Sequence, residues 1–156
     1  MIYSFPPIYD THSRILILGS MASQESLRRG FYYMHPRNRF WTMMGRITGD
    51  PVPESIEGKR QFLLDHHIAV MDSIYSCERQ GSLDSNITDV VPNDIEQVLR
   101  VASIRGVFCN GKKSYQVATR AFPHIPIRCL PSTSPANAGN WSEDAWMELR
   151  QYLQDE

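Results

Sequence analysis

The sequence is poor in cysteine and contains no apolar run longer than a strand. Its three cysteines, an odd number, show no CxxC spacing, which argues against a metal or iron–sulfur site, and no cofactor is expected. The N-terminus has no charged region followed by a long apolar one, so neither a signal peptide nor a membrane span is predicted. We therefore expect a cytoplasmic protein in which Cys109 and Cys129, both in apolar strand-like runs, are buried thiols.

The chain also lacks a net excess of charge, since 16 Lys and Arg against 17 Asp and Glu give a net charge of −1. A near-neutral total argues weakly against nucleic-acid binding. The distribution is uneven, however: positions 27–60 hold seven basic and three acidic residues, whereas positions 142–156 hold one basic and five acidic residues. This polarity fits either a basic binding surface or two solvated helix faces.

No repeat, low-complexity segment or linker interrupts the 156 residues, so we predict a single domain, positions 1–156. Apolar runs predict strands and amphipathic stretches predict helices. The strands are expected at Arg14–Leu18, Ile68–Ile74, Gly106–Asn110 and Ile127–Leu130, and the helices at Arg39–Thr48, Ile56–His66, Asp94–Ala102, Lys112–Ala121 and Ser142–Leu153. Because strands and helices alternate, the predicted fold class is α/β, with a parallel sheet covered by helices on both faces.

Three loops are predicted to meet at the carboxyl edge of this sheet: Gly19–Asn38, Asn110–Ser114 and Pro131–Asn140. The first begins with the small residues GSMAS (Gly19–Ser23) and continues into the aromatic and basic cluster FYYMHPRNRFW (Phe31–Trp41). Small residues beside Tyr, His, Asn and Arg suit stacking on a nucleobase and pairing with phosphates. The last loop contains PSTSP (Pro131–Pro135), a stiff hydroxyl-rich turn that suits a phosphate, although its composition is also that of an ordinary loop.

Together these segments are similar to the uracil-DNA glycosylase superfamily. The resemblance rests on GSMAS, YYMHPRNRFW, FCNGKKSY and LPSTSPANA, in this order over nearly the whole chain, and it is strongest to the hypoxanthine-DNA glycosylase branch. It implies a three-layer α/β/α sandwich around a four-stranded parallel sheet. It further implies a metal-free, monofunctional DNA repair enzyme, expected as a monomer, that flips a deaminated base out of DNA and hydrolyses its N-glycosidic bond.

The resemblance assigns catalysis to Asn38 and His35. Mismatch-specific relatives place an Asn two residues after the glycine of the first motif to position the attacking water, but Met21 stands there, and Met does not orient water. In the hypoxanthine branch the Asn of HPxNxFW takes this role, which is Asn38 here; the same side chain could cap the helix that begins near Arg39. His35 would orient Asn38 or donate to the base, or it would have a structural role.

Base binding and DNA binding are assigned to two further sets of residues. The base-binding set is Gly19, Ser20, Met21, Tyr33 and Asn110, and the DNA-binding set is Arg37, Ser132, Thr133, Ser134 and Asn137. Tyr33 is expected to stack on the flipped base, with Tyr32 or a packing role as the alternatives. Asn110 offers an amide to the hydrogen-bonding groups of hypoxanthine, but it also precedes Gly111 as a turn signal.

The base itself stays open at this point. Uracil-specific relatives carry a His before the PS of the last motif, and Leu130 replaces it here, which weakens a uracil assignment. The resemblance to the hypoxanthine-DNA glycosylase branch implies hypoxanthine, the product of adenine deamination, as the expected base. The alternatives are a uracil, mismatch-specific or xanthine glycosylase, or a non-catalytic nucleic-acid-binding relative that retains the pocket.

Overall fold

The computed structural model describes residues 1–155. Its strands are β1 (Ile2–Tyr3), β2 (Ile15–Gly19), β3 (Ile68–Asp72), β4 (Ile74–Glu78), β5 (Thr88–Pro92), β6 (Gly106–Asn110) and β7 (Arg128–Leu130). Its α-helices are α1 (Gln24–Arg29), α2 (Phe40–Thr48), α3 (Ile56–Asp65), α4 (Glu96–Leu99), α5 (Lys112–Ala121), α6 (Glu143–Met147) and α7 (Arg150–Leu153), and one 3-10 turn spans Asp84–Asn86.

The central sheet has four parallel strands in the order β3-β2-β6-β7. All residues of β2 and β3 are buried, as expected for parallel strands that are covered on both faces. Side chains alternate between the faces: Ile15 and Ile17 pack against α2, α3 and α6, whereas Leu16 and Leu18 pack against α4 and α5. The predicted three-layer α/β/α sandwich with a four-stranded parallel sheet is confirmed.

A second sheet, which the sequence analysis did not predict, divides the expected strand Ile68–Ile74. Its three antiparallel strands have the order β1-β4-β5. The division falls at Ser73, whose backbone N–H donates to the Gly19 carbonyl at 2.7 Å and whose hydroxyl donates to the same oxygen at 3.0 Å. These bonds turn the chain out of the parallel sheet, so Asp72 ends β3 at the carboxyl edge.

Two predicted helices are shorter than expected. The segment 94–102 is α-helical only over Glu96–Leu99, because the Asn93 amide donates to the Asp72 carbonyl and accepts from Asp94 N–H instead of capping a longer helix. The segment 142–153 divides into α6 and α7, joined by hydrogen bonds between residues three apart. Ser142 caps α6, its hydroxyl accepting from Ala145 N–H at 3.3 Å.

The prediction for the cysteines is half right. Cys109 is buried, but Cys129 is exposed, because β7 is the outermost strand of the parallel sheet and has no neighbouring strand on one side. None of the helices within residues 1–155 is long and apolar enough to cross a membrane.

Candidate active site

A pocket of about 910 Å³ opens at the carboxyl edge of the parallel sheet, the usual position of ligand sites in open α/β folds. The ends of β2, β3, β6 and β7 and the loops that follow them form its walls. Most of the predicted site residues line it: Gly19, Ser20, Met21, Tyr33, Asn38, Asn110, Ser132, Thr133, Ser134 and Asn137. The separate sequence motifs therefore do come together in one place.

His35 and Arg37 do not line this pocket. The His35 Nδ1 accepts a hydrogen bond from the Arg37 backbone N–H at 3.1 Å, which supports the turn before α2. Arg37 is exposed and forms no ion pair within residues 1–155. A direct catalytic role for His35 therefore stays a prediction without geometric support, whereas Arg37 is free to meet a phosphate.

The floor of the pocket is built around Gly19. A Cβ atom at this position would lie 2.5 Å from the Asp72 Oδ1 and 2.7 Å from the Tyr33 hydroxyl oxygen, so only glycine fits. Gly19 and Asp72 are register partners in adjacent parallel strands. The absence of a side chain at Gly19 therefore lets a carboxyl and a phenol converge at the edge of the sheet.

Tyr33 is held in an uncommon conformation. Its φ of 56° is in the left-handed region, which bulky residues rarely adopt and which costs on the order of 1–3 kcal/mol. Its ring stacks on Phe40 with centroids 4.0 Å apart, which occupies one ring face, and Tyr33 also lines the pocket. Tyr32 is instead fully buried, and its hydroxyl donates to the carbonyls of Phe5 and Pro6, which makes it a packing residue.

Asn38 does contact the start of α2. Its Oδ1 accepts from the Phe40 backbone N–H at 2.9 Å, while Arg39, the residue that directly precedes the helix, makes no side-chain cap. The amide Nδ2 has no hydrogen-bond partner within residues 1–155, and an amide oxygen has a second lone pair. The structure thus shows the capping contact and leaves both a donor and an acceptor of Asn38 for the pocket.

Asn110 is bound to the last loop by two hydrogen bonds. Its Oδ1 accepts from the Thr133 backbone N–H and its Nδ2 donates to the Thr133 hydroxyl, each at 2.9 Å. Both side chains are buried. The Thr133 hydroxyl is therefore not presented to a DNA backbone, and Asn110 fixes the PSTSP loop against β6 whether or not it also contacts a base.

The remainder of the PSTSP loop is held by its own turns. The Ser132 hydroxyl accepts from Ser134 N–H, the Ser134 hydroxyl accepts from Ala136 N–H, and the Asn137 amide donates to the Ser132 carbonyl. Ser132, Ser134 and Asn137 stay partly exposed at the pocket rim. The hydroxyls of Ser132 and Ser134 can still donate to a phosphate, since the intramolecular bonds use them as acceptors.

Most arginines at positions 27–60 have a hydrogen-bond or ion-pair partner within the chain. Arg39 donates to loop carbonyls of Ser134 and Asn137 and lies 5.0 Å from the centroid of the Trp141 ring. Arg28 and Arg29 both pair with Glu25 in α1. Arg37, the arginine assigned to DNA binding, is exposed and forms no ion pair within residues 1–155.

The loop between β4 and β5 forms a wall that the sequence analysis missed. The Ser20 hydroxyl donates to the Asp84 Oδ1 at 2.8 Å, and Arg79 donates to the carbonyls of Met21 and Ala22. The Met21 side chain packs into a small apolar cluster under this wall. The motif GSMAS is thus fastened to the second sheet.

Asp72 is a pocket residue that the sequence analysis did not identify. It lines the pocket, only 3% of it is exposed, and its Oδ2 is buried with no hydrogen-bond partner within residues 1–155. Burial raises the pKa of its carboxyl to about 8, with the charge of Asp84 adding to the shift and Arg79 opposing it. In the sequence, Asp72 is the acid at the end of the apolar run IAVMD. The predicted strand Ile68–Ile74 places it inside a strand, so it did not stand out as a residue at the edge of the sheet.

Within residues 1–155, no three His, Cys, Asp or Glu side chains are grouped in a way that could hold a metal ion. The pocket offers a carboxyl, amides, hydroxyls and an aromatic ring face. This set can stack on a planar ring, bond to its edge and hold a water molecule.

Comparisons with known proteins agree with the architecture. A family model described as the uracil DNA glycosylase superfamily matches residues 6–155. A protein named hypoxanthine DNA glycosylase from Methanosarcina acetivorans is 35% identical over 137 residues, which cover 85% of this chain and 86% of that protein. A protein of the same name from Methanosarcina barkeri is 34% identical over 137 residues, which cover 85% of this chain and 86% of that protein.

A solved structure shows the same fold. It is a solution NMR structure of a Methanosarcina acetivorans protein provisionally described as a uracil DNA glycosylase. The TM-score is 0.82 and the identity is 32%, with 97% of each chain covered.

Proposed function

Because the chain belongs to the uracil DNA glycosylase superfamily, we propose that it is a DNA glycosylase that excises hypoxanthine from deoxyinosine in DNA and leaves an abasic site. The observation that carries the proposal is the joining of the motif residues around one pocket of about 910 Å³, in a chain similar over most of its length to two hypoxanthine DNA glycosylases. We expect a cytoplasmic monomer that requires no metal.

In the proposed reaction, the damaged nucleotide leaves the duplex and enters the pocket. Flipping costs a few kcal/mol, less where the base is mispaired, and the pocket returns this energy by stacking and edge contacts. The face of the Tyr33 ring opposite Phe40 would receive the base. Stacking of this kind contributes ~1–3 kcal/mol.

Asn38 would hold the attacking water. With one lone pair of its Oδ1 bonded to Phe40 N–H, the second can accept from water and direct a water lone pair toward C1′ of the sugar. Its fixed position against the start of α2 means that little reorganisation is needed when positive charge develops on the sugar.

The DNA backbone would be held at the rim. Ser132 and Ser134 are partly exposed at the pocket rim, and Arg37 is exposed and precedes the pocket residue Asn38 in the chain. Their side chains can bind phosphates flanking the flipped nucleotide. Thr133 and Asn137 contribute by fixing the shape of this loop.

The proposal is tested by incubating the protein with oligonucleotides that carry a single inosine, uracil, xanthine or thymine mismatch, followed by alkaline cleavage of abasic sites. We expect inosine to be released fastest, with the same rate in the presence of a chelator. Faster release of uracil would change the substrate, dependence on metal would contradict the mechanism, and binding without release would indicate a non-catalytic relative.

A further inference from the structure

The buried Asp72 Oδ2 has no hydrogen-bond partner within residues 1–155, although such a group normally has one. Asp72 ends β3 beside Gly19 and lines the pocket, as do Tyr33 and the loop between β4 and β5. A buried polar atom left without a hydrogen bond destabilises the native state. A ligand that bonds to Asp72 when it fills the pocket would remove that penalty.

We propose that Asp72 reads the flipped base as a neutral carboxylic acid, its O–H donating to the carbonyl and its C=O accepting from the adjacent N–H of the base. The inference rests on the proposed function, because it assigns a contact to the base that the glycosylase excises. Asp72 would then be a specificity-determining residue in direct contact with substrate.

The surroundings of Asp72 favour the neutral form at physiological pH. Burial is the largest cause of its raised pKa of about 8; Asp84 raises the pKa further, and Arg79 lowers it. The other titratable groups that interact with its charge are Tyr32, Tyr33 and Cys77. The pKa values of all three are raised, so they are uncharged when Asp72 is protonated.

The chemistry of the base matches a neutral acid better than a carboxylate. Deamination of adenine replaces its amino group with a carbonyl and adds a proton to the neighbouring ring nitrogen, which creates a donor and an acceptor side by side. A protonated carboxyl carries the complementary pair, whereas a carboxylate only accepts and would face the carbonyl oxygen with like charge. Two hydrogen bonds therefore form only with the acid.

The same pairing explains which bases compete. Uracil and xanthine present a similar N–H and C=O edge, so they are expected as slower substrates. A neutral acid could also pair with adenine by exchanging donor and acceptor, so Asp72 does not reject adenine on its own. Rejection of adenine then depends on the higher cost of flipping a base out of a stable pair.

The contact also favours bond cleavage without a proton transfer from Asp72. As the C1′–N9 bond breaks, its electron pair leaves with the base and negative charge grows on the base carbonyl. The water oxygen bonds to C1′, and the proton that it loses returns through solvent to the departing base. A hydrogen bond from Asp72 to that carbonyl strengthens along this path.

The closing experiment compares Asp72→Asn with Asp72→Leu in single-turnover excision of inosine from pH 5 to 10. Asparagine keeps a donor and an acceptor but does not ionise. We expect the Leu variant to lose about 10²-fold at pH 7, while the Asn variant loses about three- to tenfold. Parental activity should fall about tenfold per pH unit above the Asp72 pKa of about 8, and the Asn variant should lack this fall.

Two further arms test the same group. Asp84→Asn removes a charge that raises the Asp72 pKa, so the alkaline fall should begin at lower pH. A 1-methylinosine substrate lacks the N–H, so the parent enzyme should excise it more slowly than inosine, and the Asp72→Leu variant should show a smaller difference between the two substrates.

An unfolding measurement tests the protonation state independently of activity. Because the folded-state pKa of Asp72 lies above its unfolded value of 3.8, parental stability should decrease between about pH 4 and pH 8 relative to the Asn variant. Equal losses for the Asn and Leu variants, or a parental pH profile that both share, would overturn the inference while leaving the glycosylase proposal intact. If the parent releases no inosine at any pH, the proposed function fails first, and the base-reading role fails with it.

Discussion

Two sides of the pocket differ in how their buried polar groups are satisfied. On the side of β6 and β7, Asn110 and Thr133 bond to each other through two contacts of 2.9 Å. On the side of β2 and β3, the Asp72 Oδ2 is buried without a hydrogen-bond partner within residues 1–155. A satisfied pair stabilises the shape of the pocket, whereas unsatisfied groups are available to a ligand. We infer that the first side is scaffold and that the second side binds the base.

Asn38 combines both situations: its Oδ1 accepts from Phe40 N–H, and its Nδ2 has no hydrogen-bond partner within residues 1–155. Asn38→Ala should lower single-turnover excision by ~10²-fold or more if the amide positions water. Loss of its bond to Phe40 N–H should also cost ~1 kcal/mol of stability.

Asn38→Asp and Asn38→Ser are the matched controls, because both can accept from Phe40 N–H and neither reproduces the amide. Loss of excision in all three variants, with folding and lesion binding retained, would support a chemical role. Parental rates for the Asp or Ser variant would make Asn38 a capping residue only.

Gly19→Ala tests the side of the pocket formed by β2 and β3, because the added methyl group occupies space next to Asp72 and Tyr33. The added methyl would lie 2.5 Å from the Asp72 Oδ1 and 2.7 Å from the Tyr33 oxygen, so both groups must move. We expect excision to fall on the order of tenfold or more, because small misplacements of contact groups are costly. Gly139→Ala is the control, since no atom lies within 4 Å of its added methyl. Unchanged excision by Gly19→Ala would show that this side tolerates rearrangement.

Asn110→Ala tests the satisfied side. It leaves the N–H and hydroxyl of Thr133 buried without their partner, which should cost about 1–3 kcal/mol in urea unfolding. Asn140→Ala, a change at an exposed amide, should leave the unfolding midpoint almost unchanged. If Asn110→Ala retains parental stability and binding of undamaged DNA but loses excision, Asn110 reads the base, as the sequence predicted, and the division between scaffold and binding side is wrong.

The contrast between engaged and free groups also applies to the surface arginines. Arg37 is exposed and unpaired within residues 1–155, whereas Arg29 pairs with Glu25 at 2.8 Å. Arg37→Ala should reduce the slope of log affinity against log salt by about 1, the amount for one phosphate contact. Arg29→Ala should change it less. An effect of Arg29 equal to that of Arg37 would place α1 on the DNA surface as well.

The chain order of apolar runs and helical patterns was sufficient to predict the parallel sheet and its two covered faces. The same order placed GSMAS, the aromatic cluster, Asn110 and PSTSP at one edge, because the carboxyl ends of parallel strands lie together. Local sequence patterns predict these strands and helices well, because the periodicity of apolar side chains is set by residues that are neighbours in the chain. The resemblance to the superfamily added the chemistry expected at that edge.

Tertiary structure decided which of the gathered residues are free to act. The burial of Thr133 follows from its bonds to Asn110, the exposure of Cys129 from the outermost position of β7, and the location of Asp72 at the pocket floor from the bonds of Ser73 to Gly19. These contacts join residues far apart in the chain, so no local pattern contains them. Burial and hydrogen bonding, which set the pKa of Asp72 and the availability of every polar atom, exist only after the strands have paired.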